Sequence, residues 1–397
     1  MPPSSSRTPE APMPWALLAA CCLAMFAAAC SGTTRSPFLI DMARDLDSTL
    51  PLIANLMALT SISWGVASLV AGAGSDRWGR RPFLIGGPVL LALCLVGTAS
   101  GGSYFAVATW ATLAGACAGA FTGTIMAEAS TRVQEGQRGR ALGWVMAGQS
   151  LALLLGVPLA AWIGEVLGWR GVMRVVAAIA LLAAIALLAT TLRPAGSAGH
   201  TRGARVSYRA AMSGPVLRLL AMGVTERVCY GLMAIYFAAF LQTSYQLSLS
   251  ALALPLALFA LGNIAGTIIG GQMADKLPNR LLIFAVAMAG SAVLALPLFG
   301  WTVSLPVSVG LGFTYVLINA LARPSLMASL ASVPEEVRGT VLGLNVTSAS
   351  FGWLGAAALG GWMLARQGFW GFGPLACAIG LLGAALALLR RPVPQGR

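Results

Sequence analysis

The segment PVLRLLAMGVTERVCYG places two adjacent ionisable residues, Glu226 and Arg227, well inside an apolar stretch. A carboxylate can carry a proton or hold a cation, and a guanidinium can pair with it or with an anion. If this stretch crosses a bilayer as a helix starting near Pro215, Glu226 lies about 16 Å along it at 1.5 Å per residue. A charge near mid-membrane costs roughly 2.5–3.5 kcal/mol and therefore usually faces a water-filled pathway. Helical neighbours point about 100° apart, so the two side chains are not expected to face one spot. Glu226 is assigned to the cavity as a protonatable or cation-binding group. Arg227 is left with three roles: pairing with Glu226, contacting an anion, or lying at a helix interface.

Weaker polar candidates are Gln149, Asn263, Asn319 and Asn345, each able to hydrogen-bond a ligand or bridge helices. Tyr230 and Tyr236 follow Glu226 on the same helix, where packing is the default and an aromatic ligand wall the alternative. Glu128 and Arg323 fall toward the ends of apolar stretches and are assigned boundary roles. Arg35 and Asp41 flank the outer end of the first stretch, where anchoring at the membrane interface is expected before gating.

A second pattern lies between the apolar stretches. GAGSDRWGRR, Gly72 to Arg81, has a weaker copy in GQMADKLPNR, Gly271 to Arg280. RGRALGW at Arg138 is answered by RGTVLGL at Arg338, an offset of 200, and Asp76 and Asp275 are 199 apart. Two independent pairs at nearly one spacing predict a parallel internal repeat of about half the chain. Asp76 at a helix end can accept hydrogen bonds from the exposed N–H groups that start another helix, a contact of about 0.3–1 kcal/mol. Such a contact breaks readily.

These residues need a scaffold, and composition says which. The 397 residues are 58% hydrophobic and 9% charged with mean hydropathy +0.81, which makes an all-α integral membrane protein. Apolar stretches of suitable length predict twelve transmembrane helices in two six-helix halves. The boundaries are a tail over 1–13, halves over 14–192 and 215–390, a polar linker over 193–214, and a basic tail over 391–397. With both termini cytoplasmic, 19 basic residues fall inside and five outside, leaving only Arg227 within a span. The net charge of +13 is thus mostly a topology signal with lipid headgroups as its partner, and nucleic acid binding is not invoked.

The seven cysteines lie in apolar segments without metal-ligand spacing and read as packing residues, and the single histidine, His200, lies in the linker. No cofactor or metal is expected. LLAACCLAMFAAACSG has the look of a secretory signal, but the region before it carries little positive charge, so it is read as the first span. Glycines crowd the fifth span (Gly143, Gly148, Gly156, Gly164) and the eleventh (Gly343, Gly352, Gly355, Gly360, Gly361). Rigid close packing is favoured there over faces that slide.

With these motifs in hand, the chain resembles the major facilitator superfamily, and within it the twelve-span proton-antiporter exporters. Gly72, Asp76, Arg77, Gly79, Arg80 and Arg81 match the loop motif between spans two and three at every key position. In the second half Gly271, Asp275 and Lys276 match, whereas Pro278 replaces the glycine. LGVPLAAWIGEVLGWRGV resembles the exporters' fifth-span motif, with Ala160 and Ala161 where a glycine pair is common. The arginine expected near Ala111 in proton-coupled members is missing. The resemblance implies a conformational latch in which Asp76 meets the start of the eleventh span near Arg338, and Asp275 the start of the fifth near Arg138.

It further implies an inner-membrane transporter, acting as a monomer, that exports a small amphipathic drug or metabolite by proton exchange. Uptake by proton symport is the competing reading. No GxxxxGK[ST] segment offers ATP drive, and the spans lack the clustered nucleophile and base residues of an intramembrane enzyme.

Overall fold

Proline starts five of the long helices, where its missing N–H costs nothing and its fixed φ suits the first turn. The computed structural model describes residues 13–134, 137–191, 213–333 and 335–389. The side chains of residues 69, 72, 73, 76, 335–340, 342 and 343 lie outside that description, and so do the tails, the linker and His200. The described residues contain helices and connections and no strand.

The first set comprises α1 (Trp15–Thr33), a short α2 (Leu39–Asp45), α3 (Leu50–Trp78), α4 (Arg81–Ser100), α5 (Tyr104–Thr131), α6 (Arg138–Leu151) and α7 (Val157–Thr190). The second comprises α8 (Gly214–Tyr245), α9 (Ala253–Lys276), α10 (Arg280–Gly300), α11 (Leu305–Ala331), α12 (Glu335–Gln367) and α13 (Phe372–Leu388). Ten helical stretches are long and apolar enough to cross a bilayer. Two of them, Arg138–Thr190 at 53 residues and Leu344–Leu388 at 45, far exceed the roughly 20 residues of one crossing. Each is interrupted by a glycine in the positive-φ region, Gly168 at 64° and Gly368 at 65°. Helix α8 starts at Gly214, next to the predicted Pro215, so Glu226 sits well inside it.

The repeat is visible in side-chain contacts. Arg80 donates to the Ala127 carbonyl at 3.3 Å, and Arg280 donates to the Ala328 carbonyl at 3.4 Å. The two turn glycines, Gly168 and Gly368, are again 200 residues apart. Helix α3 packs on α5, and its counterpart α9 on α11, through glycines that let backbones touch. These are Gly115 and Gly119 of α5 against Thr60 and Trp64, and Gly262, Gly266 and Gly270 of α9 against Phe313, Leu317 and Leu321.

The glycines of the fifth span mostly face α1: Gly148 lies on Cys22 and Gly156 on Cys30, while Gly164 meets Phe38 just beyond it. Those of α12 mostly face α8, with Gly352 on Arg227, Gly355 on Val228 and Gly360 on Tyr236. Close packing inside each set is therefore the use of these six, whereas Gly143 has open space around it and Gly361 meets Pro51 across the interface between the sets.

Helix α12 lies along α3, and α7 with its preceding π turn (Ala152–Gly156) lies along α9. Among the described residues, hydrogen bonds that cross between the sets include Gln242 Nε2 to Pro37 O at 2.7 Å, Ser250 N to Glu165 Oε2 at 2.5 Å, and Ser350 Oγ to Ser61 O at 3.1 Å. The first two close the end of the molecule that carries the Gly168 and Gly368 turns. Helix α8 is the most enclosed element, with 83% of its apolar window buried against 39–56% in the others. The others turn leucines and valines such as Leu93, Val166 and Val286 outward, as a lipid-facing surface requires.

Candidate functional site

Glu226 is 2% exposed, and each of its carboxylate oxygens meets a different guanidinium. Arg227 Nη2 lies 3.2 Å from Oε2, and Arg323 Nη2 lies 3.2 Å from Oε1. The stem of Arg227 packs against Gly352, where an added β-carbon would collide with its Cβ and Cγ. Both guanidinium carbons stand 5.3 Å from the centre of the Tyr230 ring, within cation–π range. Tyr230 meets Trp353 edge-on at 5.9 Å and stacks on Phe259 at 6.2 Å.

This cluster forms one wall of a cavity of about 390 Å³ between the two sets of helices. Met57, Thr60 and Trp64 of α3 and Gln149 of α6 face Arg227, Tyr230, Arg323 and Trp353 across it. Gln149, Leu153 and Val157 present one face to the cavity at four-residue steps through the π turn, a helical irregularity frequent at functional sites. A cavity walled by aromatic and aliphatic groups with few polar anchors is the usual form of a small-molecule site.

Of the predicted residues, Gln149, Arg227 and Tyr230 line the cavity, whereas Glu226, expected to face it, does not and lies buried behind Arg227 and Arg323. Asn319 does not: it is fully buried between helices, with Nδ2 3.5 Å from Ser291 Oγ. Asn345 contacts Met327 Sδ at 3.3 Å, Asn263 is buried on α9, and neither lines the cavity. Tyr236 donates to the Ala357 carbonyl at 2.8 Å and packs on Phe372, so packing is its role.

Two expectations are overturned. Arg323 is not a boundary residue, because α11 continues to Ala331 and carries its side chain to Glu226 and the cavity. Arg35 is not an interfacial anchor, since it is 1% exposed and held by the Thr60 hydroxyl at 2.9 Å. The chain continues beyond it as a 3-10 turn (Ser36–Phe38) and α2. Thr60 Oγ1 also lies 3.4 Å from the Ala111 carbonyl, so a guanidinium stands near α5 although α5 carries no arginine at that level.

At the loop motif, Gly79 takes φ 83° and ends α3, and Arg77 lies over the Trp78 ring. Arg80 ties the turn to α5 through Thr131 Oγ1 at 2.9 Å and Glu128 at 3.6 Å, while Arg81 begins α4. Glu128, itself nearly buried, is also paired with Arg132 at 2.8 Å. Asp275 is exposed near the end of α9, and Arg138 begins α6. Gly72, Asp76 and Arg338, three members of the expected latch, lie outside the described side chains.

The inner membrane transport protein YdhP of Escherichia coli (strain K12) is 26% identical over 354 residues, 88% of this chain and 88% of that protein. A chloramphenicol resistance protein of Streptomyces lividans is 28% identical over 343 residues, covering 79% of this chain and 83% of its own. The solved structure of a D-xylose-proton symporter matches with TM-score 0.76 over 96% of this chain and 98% of that one, at 15% identity, a likeness of fold. The family model of the Major Facilitator Superfamily matches residues 21–356, and with its helical sets, its repeat and its central cavity the chain belongs to this superfamily of membrane transporters.

Proposed function

We propose that the protein is a secondary active transporter that moves a small amphipathic drug or metabolite out of the cell by alternating access, exchanging it for protons. The carrying observation is the cavity between the two helical sets, lined by Arg227 of α8 and Arg323 of α11, with Glu226 paired to both just behind them. A protonatable carboxylate bound to two arginines is a group whose charge state can be linked to which side the cavity faces. The outward direction is supported by similarity to a protein of chloramphenicol resistance.

The same reading has twelve passes, the two longest stretches crossing twice at Gly168 and Gly368, with both termini cytoplasmic and residence in the inner membrane as a monomer. The halves 14–192 and 215–390 rock about the cavity. Gly72, Asp76, Arg77, Gly79, Arg80, Arg81 and Arg338, with Asp275 and Arg138 in the repeat, form the breakable latch of one face. The anchoring of Arg80 on α5 supports that role, since it holds the turn that would present Asp76.

Cellular retention of a broad compound and metabolite panel tests direction. Lower retention with wild type than with an empty vector supports export, and higher retention supports uptake by symport. Equal retention throughout the panel refutes both for those compounds.

A further inference from the structure

The cavity has an unbalanced charge. Two guanidiniums, Arg227 and Arg323, share the single carboxylate of Glu226, which leaves one positive charge at the wall. No Asp or Glu is among the described residues that line the cavity, so nothing there offsets it. Arg323 also has its Nε buried without a hydrogen-bond partner. Just behind the wall, beside Ser36 and Thr60, the buried Arg35 has Nε and Nη2 unpartnered and no ion pair among the described residues.

Guanidiniums taken out of water are expensive unless a negative charge meets them, and a carboxylate matches their fork geometry best. Around the charge the walls are apolar and aromatic: Trp64, Tyr230, Phe259 and Trp353. A cationic amphiphile would find a like charge and no acid beyond the already saturated Glu226. A neutral one would leave the excess charge unmet.

We infer that the substrate is an amphipathic organic anion whose carboxylate seats on Arg227 and Arg323 and whose apolar body lies among those aromatic rings. The inference rests on the proposal that this cavity is the transport site and narrows its substrate class. It assigns Glu226 a second property, that of an internal competitor occupying the arginines until a ligand carboxylate replaces it.

The test uses the full chain in lipid nanodiscs and three probes with one aromatic body: 4-phenylbutyrate, 4-phenylbutyramide and 4-phenylbutylamine. Equilibrium binding is measured by calorimetry without any gradient. The acid is expected to bind about tenfold or more tighter than the amide, the scale of one charge-assisted hydrogen bond, and the amine not at all. Glu226→Gln should tighten the acid several-fold, because it removes the competitor, whereas Arg323→Gln should weaken the acid and leave the amide unchanged. The opposite signs of these variants separate a specific effect from misfolding.

Amide or amine binding as tight as the acid overturns the inference, as does failure of the acid to bind. If the acid fails while cells expressing wild type still lose neutral compounds, the substrate class is wrong and the export proposal stands. If the acid binds with the stated arginine dependence but no compound moves in cells, the anion site stands and export fails.

Discussion

Arg323 Nη2 and Glu226 Oε1 are 3.2 Å apart and join α11 to α8 at the cavity wall, 97 residues apart in the chain. Glu226 would otherwise have only its neighbour Arg227 as counter-charge, on the same helix. The bond between helices makes the pairing of Glu226 a matter of how α8 and α11 sit against each other.

Replacing Arg323 with alanine should lower export by about tenfold or more, since a hydrogen bond to a charged group is worth about 1.5–3 kcal/mol. Lysine keeps the charge but loses the planar fork, so Arg323→Lys should fall between alanine and wild type. Cellular retention at matched membrane abundance measures this. Wild-type export by Arg323→Ala would remove the residue from the site.

Glu226→Gln should uncouple rather than inactivate. In proteoliposomes the variant is expected to exchange labelled for unlabelled substrate across the membrane but to build no gradient when protons are supplied. A gradient equal to that of wild type would show that the proton is carried elsewhere.

The close helix crossings make stability predictions. A side chain at Gly119 would drive into the Trp64 backbone, and one at Gly266 into Leu317, so leucine at either should cost about 1–3 kcal/mol from overpacking. Gly123 and Gly310 have nothing within 4 Å of an added β-carbon, and alanine there should be tolerated. Thermal unfolding in detergent, with membrane abundance as the second readout, separates the two groups.

Gly168 has φ 64° and ψ 175°, a region essentially reserved for glycine. Gly168→Ala should cost about 1–3 kcal/mol and lower the unfolding temperature, although open space surrounds the position. Gly86→Ala, equally uncrowded but with ordinary helical backbone, is the control expected to change little.

Much of the architecture is legible in the chain because charge and proline mark helix ends in a membrane protein. The connections around Gly101, Gln246 and Trp301 fall where the apolar runs are broken by polar or glycine-rich residues. The pair Glu226 and Arg227 stands out because charge deep in an apolar run is rare. The same logic misplaces Arg323. A charge read as the end of a span puts it at the boundary, yet α11 runs eight residues further, about two turns. Arg35 is misplaced for a related reason: hydropathy ends the first span at Thr34, and only the fold shows its side chain buried against Thr60 of α3. The asparagines are polar in sequence whether they face a ligand or a neighbouring helix, and helix rotation decides which.

Gly168 and Gly368 interrupt their helical stretches with positive-φ backbone, which has a practical bearing on labelling. An epitope or fluorophore sequence inserted at either glycine would interrupt a position whose backbone conformation only glycine adopts readily, whereas the Gln246–Leu249 connection offers backbone already outside a helix. Reporters of sidedness therefore belong at Gln246–Leu249, and silence from a tag at either glycine would report damage to the backbone there rather than its location.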